Sequence, residues 1–187
     1  MRLLLSKILN LLVLLAATAW LARTPDWEPA VTALVLLAGL IGQELHGARL
    51  ASARDSALFA KFLAEFPSNG RTAAFLEKHD LGAPFTHESI TELDDFVCRW
   101  NNAEHEFENK KLEEHRRRLW SLANEFRSEL AVNTFPVHGT SGMLSMDFQD
   151  LETRQSKIDK RDALNKMASQ LFDEHQEMIR LCRKLAP

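Results

Sequence analysis

The residues able to do chemistry are sparse and poorly grouped in this sequence. His105 and Glu108 stand three apart, so a helix would turn both to one side, and His115 follows further along. A di-iron helical bundle needs paired Glu-x-x-His motifs with further carboxylates on facing helices, and the chain contains no Glu-x-x-His. His87, Glu88, Asp94 and Asp95 form a second cluster at what reads as a helix start, where acids are expected for the dipole alone. Ligand type and spacing both fall short of a metal centre, and neither a metal nor another cofactor is expected.

The nucleophiles are equally plain. Cys98 lies beside Val97 and Trp100, and Cys182 falls on an apolar stripe near the end of the chain. Cysteines in such settings usually act as small hydrophobes. His138-Gly-Thr-Ser141-Gly lacks the preceding strand that a nucleophile elbow requires. There is no phosphate-binding loop and no dinucleotide fingerprint. The chain is therefore expected not to be an enzyme. A net charge of -3 also argues against a nucleic-acid partner, which would call for a basic excess.

The elements around these residues divide the 187-residue chain into two physically different regions. From Ile8 to Ala22 only Asn10 and Thr18 interrupt an apolar run, and residues 30–42 carry no charge. Leu3 to Ala22 would span about 30 Å as a helix, the thickness of a bilayer core. Residues 27–45 form a second segment of similar length. Pro25 and Pro29 in the short connection would stop one helix and start the next, forcing an antiparallel hairpin. Trp20 and Trp27 flank the bend as interfacial aromatics do. Arg2 and Lys7 lie before or early in the first span and Arg49, Arg54 and Lys61 follow the second, while the connection holds only Arg23, so both termini are expected in the cytoplasm.

Within the hairpin Lys7 and Glu44 would fall at similar depth, where they either pair or, as helix-end charges usually do, reach the headgroups separately. Ala38 and Gly42 form a small-xxx-small pair suited to close helix packing. The rival reading of the same residues is a cleaved signal peptide. Arg2 and Lys7 would be its basic region, Ile8 to Leu15 its apolar region and Ala17-Thr18-Ala19 its cleavage site.

After residue 46 the apolar spacing is helical. Leu58, Phe59, Phe62, Leu63 and Phe66 share one side of a helix that Pro67 ends, with Gly47 its expected weak point. Ser68 or Asn69 can cap a short helix to about His79. Thr86 can cap another carrying Ile90, Leu93, Phe96, Val97 and Trp100, interrupted at Asn101-Asn102. A long helix from about Glu106 to Leu130 includes the charge run Glu113 to Arg118, read as a solvated face. The last helix is expected from about Asp147 to Leu185, with a coiled-coil-like seam of Leu164, Leu171, Met178 and Leu185 and with Met167, His175 and Cys182 between them. The 133–145 segment reads as the longest loop. Its Phe135 is expected to plug the end of the bundle, or with His138 to form a binding tip.

These readings converge on an all-α protein. Residues 1–46 would be a transmembrane hairpin and 47–187 a cytoplasmic helical bundle built on a long antiparallel helix pair. The layout resembles small two-span bacterial membrane proteins with a helical cytoplasmic domain, though no motif carries the resemblance. The expected function is non-enzymatic binding or regulation at the inner face of a bacterial inner membrane. The expected partners are the lipid bilayer and a protein, or a second copy, met through the helical seam. The alternatives are a self-assembling two-span effector that perturbs the bilayer, and a periplasmic helical protein whose signal peptide is removed.

Overall fold

A computed structural model of the chain describes residues 27–137, 142–146 and 154–185, together with Ala19 and Gly139. The molecule is predominantly helical, with a small antiparallel sheet. It forms two compact units, Met1–Ala51 and Ser52–Pro187. The expected span 3–22 lies outside the described residues except for Ala19. The expected span 27–45 falls within helix α1, Trp27–Glu65, which runs through Gly47 without a break. Among the described residues no helix is long and apolar enough to cross a membrane.

In the first unit Val31, Leu34, Val35, Leu37 and Ile41 are exposed. Positions 31, 34, 35, 38, 41 and 42 follow the three- and four-residue spacing that places side chains on one helix face.

In the second unit the apolar stripe of α1 is buried as its spacing requires. Phe59, Phe62 and Phe66 enter the core, and Asp55 extends their line by one turn. Pro67 follows directly and the helix stops before it. Helix α2, Arg71–Lys78, starts without the expected Ser68 or Asn69 cap, because Gly70 occupies the capping position. The Glu92 carboxylate instead accepts the amide protons of Arg71 and Thr72 at 3.3 and 3.0 Å. A Cβ at position 70 would stand 2.5 Å from that carboxylate, so a larger residue there would displace the Glu92 side chain from its cap.

Residues His87–Ile90 form a 3-10 turn, so the helix expected to begin at Thr86 begins instead with α3, Thr91–Arg99. Its apolar side, Leu93, Phe96 and Val97, continues into fully buried Trp100. Trp100 meets Phe62 edge-on at 5.3 Å and donates its indole N–H to Glu65 at 2.8 Å. Burying rings of this size stabilises the fold by about 1.5–3 kcal/mol each.

Helix α4, Lys110–Asn133, starts after the expected Glu106, because a 3-10 turn at Ala103–His105 and the cap at Asn109 intervene. Asn109 accepts from the Lys111 amide at 3.0 Å, and Asp55 accepts from the amides of Glu108 and Asn109 at 2.7 and 3.0 Å. Thus α1 supplies the capping charge for α4. Helix α5, Arg154–Leu185, packs along α4. Glu129 meets Lys160 at 2.9 Å while His115 meets Glu174 at 2.7 Å, so position rises along one helix as it falls along the other. The two helices are therefore antiparallel. The expected start of α5 at Asp147 lies outside the described residues.

In α5, Leu164, Ala168, Leu171, His175, Met178 and Cys182 are buried, whereas Met167 is only partly so. Alternating steps of four and three keep this set on one face of the helix. The chain's own helices cover this stripe.

Two short strands lie in the segment expected to be a loop, 133–145. β2, Thr134–Pro136, and β3, Met143–Met146, pair as an antiparallel hairpin, and β1, Phe85–Thr86, pairs on the other side of β3. The register aligns Thr134 with Met146, Phe135 with Ser145, Pro136 with Leu144 and Phe85 with Leu144. Phe85 and Met146 are buried on the inner face, so alternation turns Phe135 outward. Gly139 and Gly142, at φ +85° and +77°, carry the left-handed backbone of the connection.

Candidate functional site

The polar side chains drawn most tightly together between two long helices are His115, Arg118 and Glu174. Each sits near the edge of an apolar stripe, which brings it to the boundary of the core. Glu174 is buried, yet its carboxylate accepts from His115 Nδ1 at 2.7 Å and Arg118 Nε at 3.0 Å. Two cationic or polar donors thus compensate a charge that burial would otherwise expel. Because the carboxylate accepts, Nδ1 of His115 is the donor of this bond.

Two shallow grooves meet at this cluster and share Arg118. One, about 270 Å³, is lined by Lys111, Glu114, His115, Arg118 and Leu181. The other, about 440 Å³, continues past Gln170, Asp173, Glu177 and Arg180. A carboxylate that orients a histidine is half of an acid–base device, but among the described residues no hydroxyl or thiol lines either groove. The arrangement can hold a polar or ionised group by paired charges.

The other buried polar groups hold the fold. Arg116 is buried; it donates to both Glu113 oxygens at 2.9 and 2.7 Å and to the Trp100 carbonyl. This tie joins the end of α3 to the first turns of α4. Burial works against the charged form of Glu113, yet the bonds from Arg116, Arg117 and the Phe107 amide leave its carboxyl below the usual range. The run 113–118 is therefore not the uniformly solvated face the sequence suggested. Leu112, Arg116, Leu119, Ala123, Phe126 and Leu130 form one buried stripe, so spacing alone already placed Arg116 inside.

His175 is fully buried and stacks on Phe66, with ring centres 4.1 Å apart. Its Nε2 donates to the Phe66 carbonyl at 3.1 Å, at the end of α1. Burial pushes its pKa down to about 4. His105 is buried against Trp100. Asn102 Oδ1 accepts from the Glu104 amide and from His105 Nδ1, which leaves His105 Nε2 as an unpartnered buried acceptor. Desolvation, with nearby Lys61, lowers its pKa.

The residues singled out by sequence fall in separate places. Lys7 and His138 lie outside the described residues, as does the side chain of Glu44. Ala38 and Gly42 are exposed on α1, and a Cβ at Gly42 would meet nothing within 4 Å. Phe135 is 50% exposed on the outer face of the hairpin and plugs nothing. His105, Glu108 and His115 do not converge. His105 binds Asn102, Glu108 pairs with Arg54 at 2.6 Å, and His115 binds Glu174. His87 lies 3.6 Å from Asp94, while Glu88 pairs with Arg71. Among the described residues no three His, Cys, Asp or Glu side chains are grouped to hold a metal ion. Cys98 is exposed and Cys182 buried. No protein-family model, no curated protein and no solved structure matches the chain.

Proposed function

We propose that the chain is a membrane-anchored, non-enzymatic binding or regulatory protein with a cytoplasmic helical interaction domain. One observation carries the reading. Val31, Leu34, Val35, Leu37 and Ile41 stand 44–66% exposed along consecutive turns of α1. A contiguous apolar face of this kind is unstable in water and calls for lipid or another helix. The apolar run 3–22 adjoins it in sequence, and together the two segments supply a hairpin of bilayer length. In this reading the helical domain presents the outer face of the β2–β3 hairpin, with Phe135 exposed beside Val132 at the end of α4, to a protein partner.

The test is the mass of the protein in the membrane fraction, with a C-terminal reporter active on one side only. A full-length chain with a cytoplasmic C-terminus supports the reading. A shortened chain with an external C-terminus refutes it and selects the periplasmic alternative. A second reading, self-assembly within the bilayer, draws on the open space at Ala38 and Gly42. Its test is Gly42→Leu, which should abolish toxicity on overexpression; unchanged toxicity rejects it.

A further inference from the structure

We propose that the end of the helical domain formed by Arg54, Lys110, Lys111, Arg183 and Lys184 is a contact surface for anionic lipid headgroups. The inference deepens the anchoring reading and rests on it for proximity to a bilayer.

Three distant parts of the sequence build this end. Asp55 of α1 caps the start of α4 through the Glu108 and Asn109 amides. Lys111 and Leu181 line one groove, so the first turns of α4 lie beside the last turns of α5. All five basic side chains are exposed. Arg54 pairs with Glu108, and among the described residues Lys110, Lys111, Arg183 and Lys184 have no ion-pair partner. Glu114 faces the adjoining groove, and Glu106 on the flank lies 3.6 Å from Arg117.

Helix formation explains only part of this cluster. Arg183 and Lys184 suit the negative end of the α5 dipole. Lys110 and Lys111 do not suit their place, because they stand in the first turn of α4 where the dipole opposes cations. The two lysines therefore act against local stability, and an external anion would reverse that penalty. The occupant is taken as a lipid surface because of the way the chain enters this unit. The chain enters this unit at Ser52, two residues before Arg54, directly after the segment read as the anchor. Tethering of that kind makes even a weak contact effective.

The test uses the full chain in vesicles of phosphatidylcholine alone and of phosphatidylcholine with phosphatidylglycerol. Amide hydrogen exchange is followed at residues 108–115 and 180–185. Each basic side chain near an anionic surface contributes roughly fivefold to the contact. Exchange at both segments should therefore slow several-fold only with phosphatidylglycerol, and high salt should remove the effect. Lys110→Glu with Lys111→Glu should abolish it. Those changes favour the α4 dipole, so the loss could not be blamed on unfolding. Lys110→Gln with Lys111→Gln should give an intermediate result.

Equal exchange in the two vesicles overturns the proposal, as does slowing that is indifferent to charge reversal. Protection by single-stranded RNA in place of anionic vesicles also overturns it. If the chain fails to insert into either vesicle, the anchoring reading falls by itself. Flotation then decides the present proposal: charge-dependent binding to phosphatidylglycerol vesicles sustains it, and binding to neither vesicle overturns it.

Discussion

Acidification should destabilise the helical domain through His175 before its carboxylates contribute. The ring is fully buried against Phe62 and Phe66, and its Nε2 proton is held by the Phe66 carbonyl. The nearest approach to Nδ1 is the Gln176 side-chain amide at 3.4 Å, a donor that a protonated ring could not use. Folding therefore lowers the pKa from 6.5 to about 4. Between these values the unfolded chain binds a proton that the folded chain refuses, so stability falls as pH falls. The loss begins near pH 6.5, proceeds through the interval and levels off below about 4. At 1.36 kcal/mol per unit the full loss is about 3 kcal/mol.

Three carboxyls contribute in a lower window. Asp80, Glu113 and Glu129 have lowered pKa values, so the stability they confer is present above their ordinary range and is lost below it. His105 is also lowered and adds to the slope in the same direction as His175. The assay is denaturant unfolding of the full chain in detergent at pH 7, 6 and 5, comparing the native protein with His175→Gln. The variant should be less stable at pH 7, because it disturbs the stack, but its stability should fall less between pH 7 and 5. An undiminished pH slope in His175→Gln would refute the assignment of a neutral, buried His175.

Arg116→Met should cost about 3–5 kcal/mol in the same unfolding assay, because it leaves Glu113 and the Trp100 carbonyl without their shared donor. Arg116→Lys should recover only part of that loss, since a point charge cannot bond Glu113 and the carbonyl in the same geometry. Phe135→Ser should change stability by less than about 0.5 kcal/mol, as its outward placement requires, whereas a loss near that of a core phenylalanine would return the ring to the bundle. A thiol reagent at neutral pH should modify one cysteine rapidly. Cys98 is exposed, while burial pushes the Cys182 thiol up to about 12. Mass mapping that finds both labelled at equal rates would contradict this packing.

Much of the fold is legible in the sequence because helical burial repeats locally. The stripes of α1, α4 and α5 follow three- and four-residue spacing, and Pro67 marks the end of α1. The polar residues of the core are legible in the same way. Asp55 stands four before Phe59, Arg116 four after Leu112, and His175 four after Leu171. Reading the 113–118 run by composition concealed this; reading it by spacing exposes Arg116. The small sheet is not legible, since strands of two to four residues are too short to show alternation.

The sequence by itself determined which faces of the long helices are apolar, because that property depends only on residue type and helical period. It also determined where two apolar segments lie near the N-terminus. Only the tertiary structure decided which partner each buried polar group has. Asp55 finds amides at 108 and 109, Arg116 a carbonyl at 100, and His175 a carbonyl at 66. It likewise joined β1 to β3 and gathered Lys110, Lys111, Arg183 and Lys184 at one end. The reason is that hydrogen bonds and charge clusters depend on distance in space, while sequence patterns report only distance along the chain.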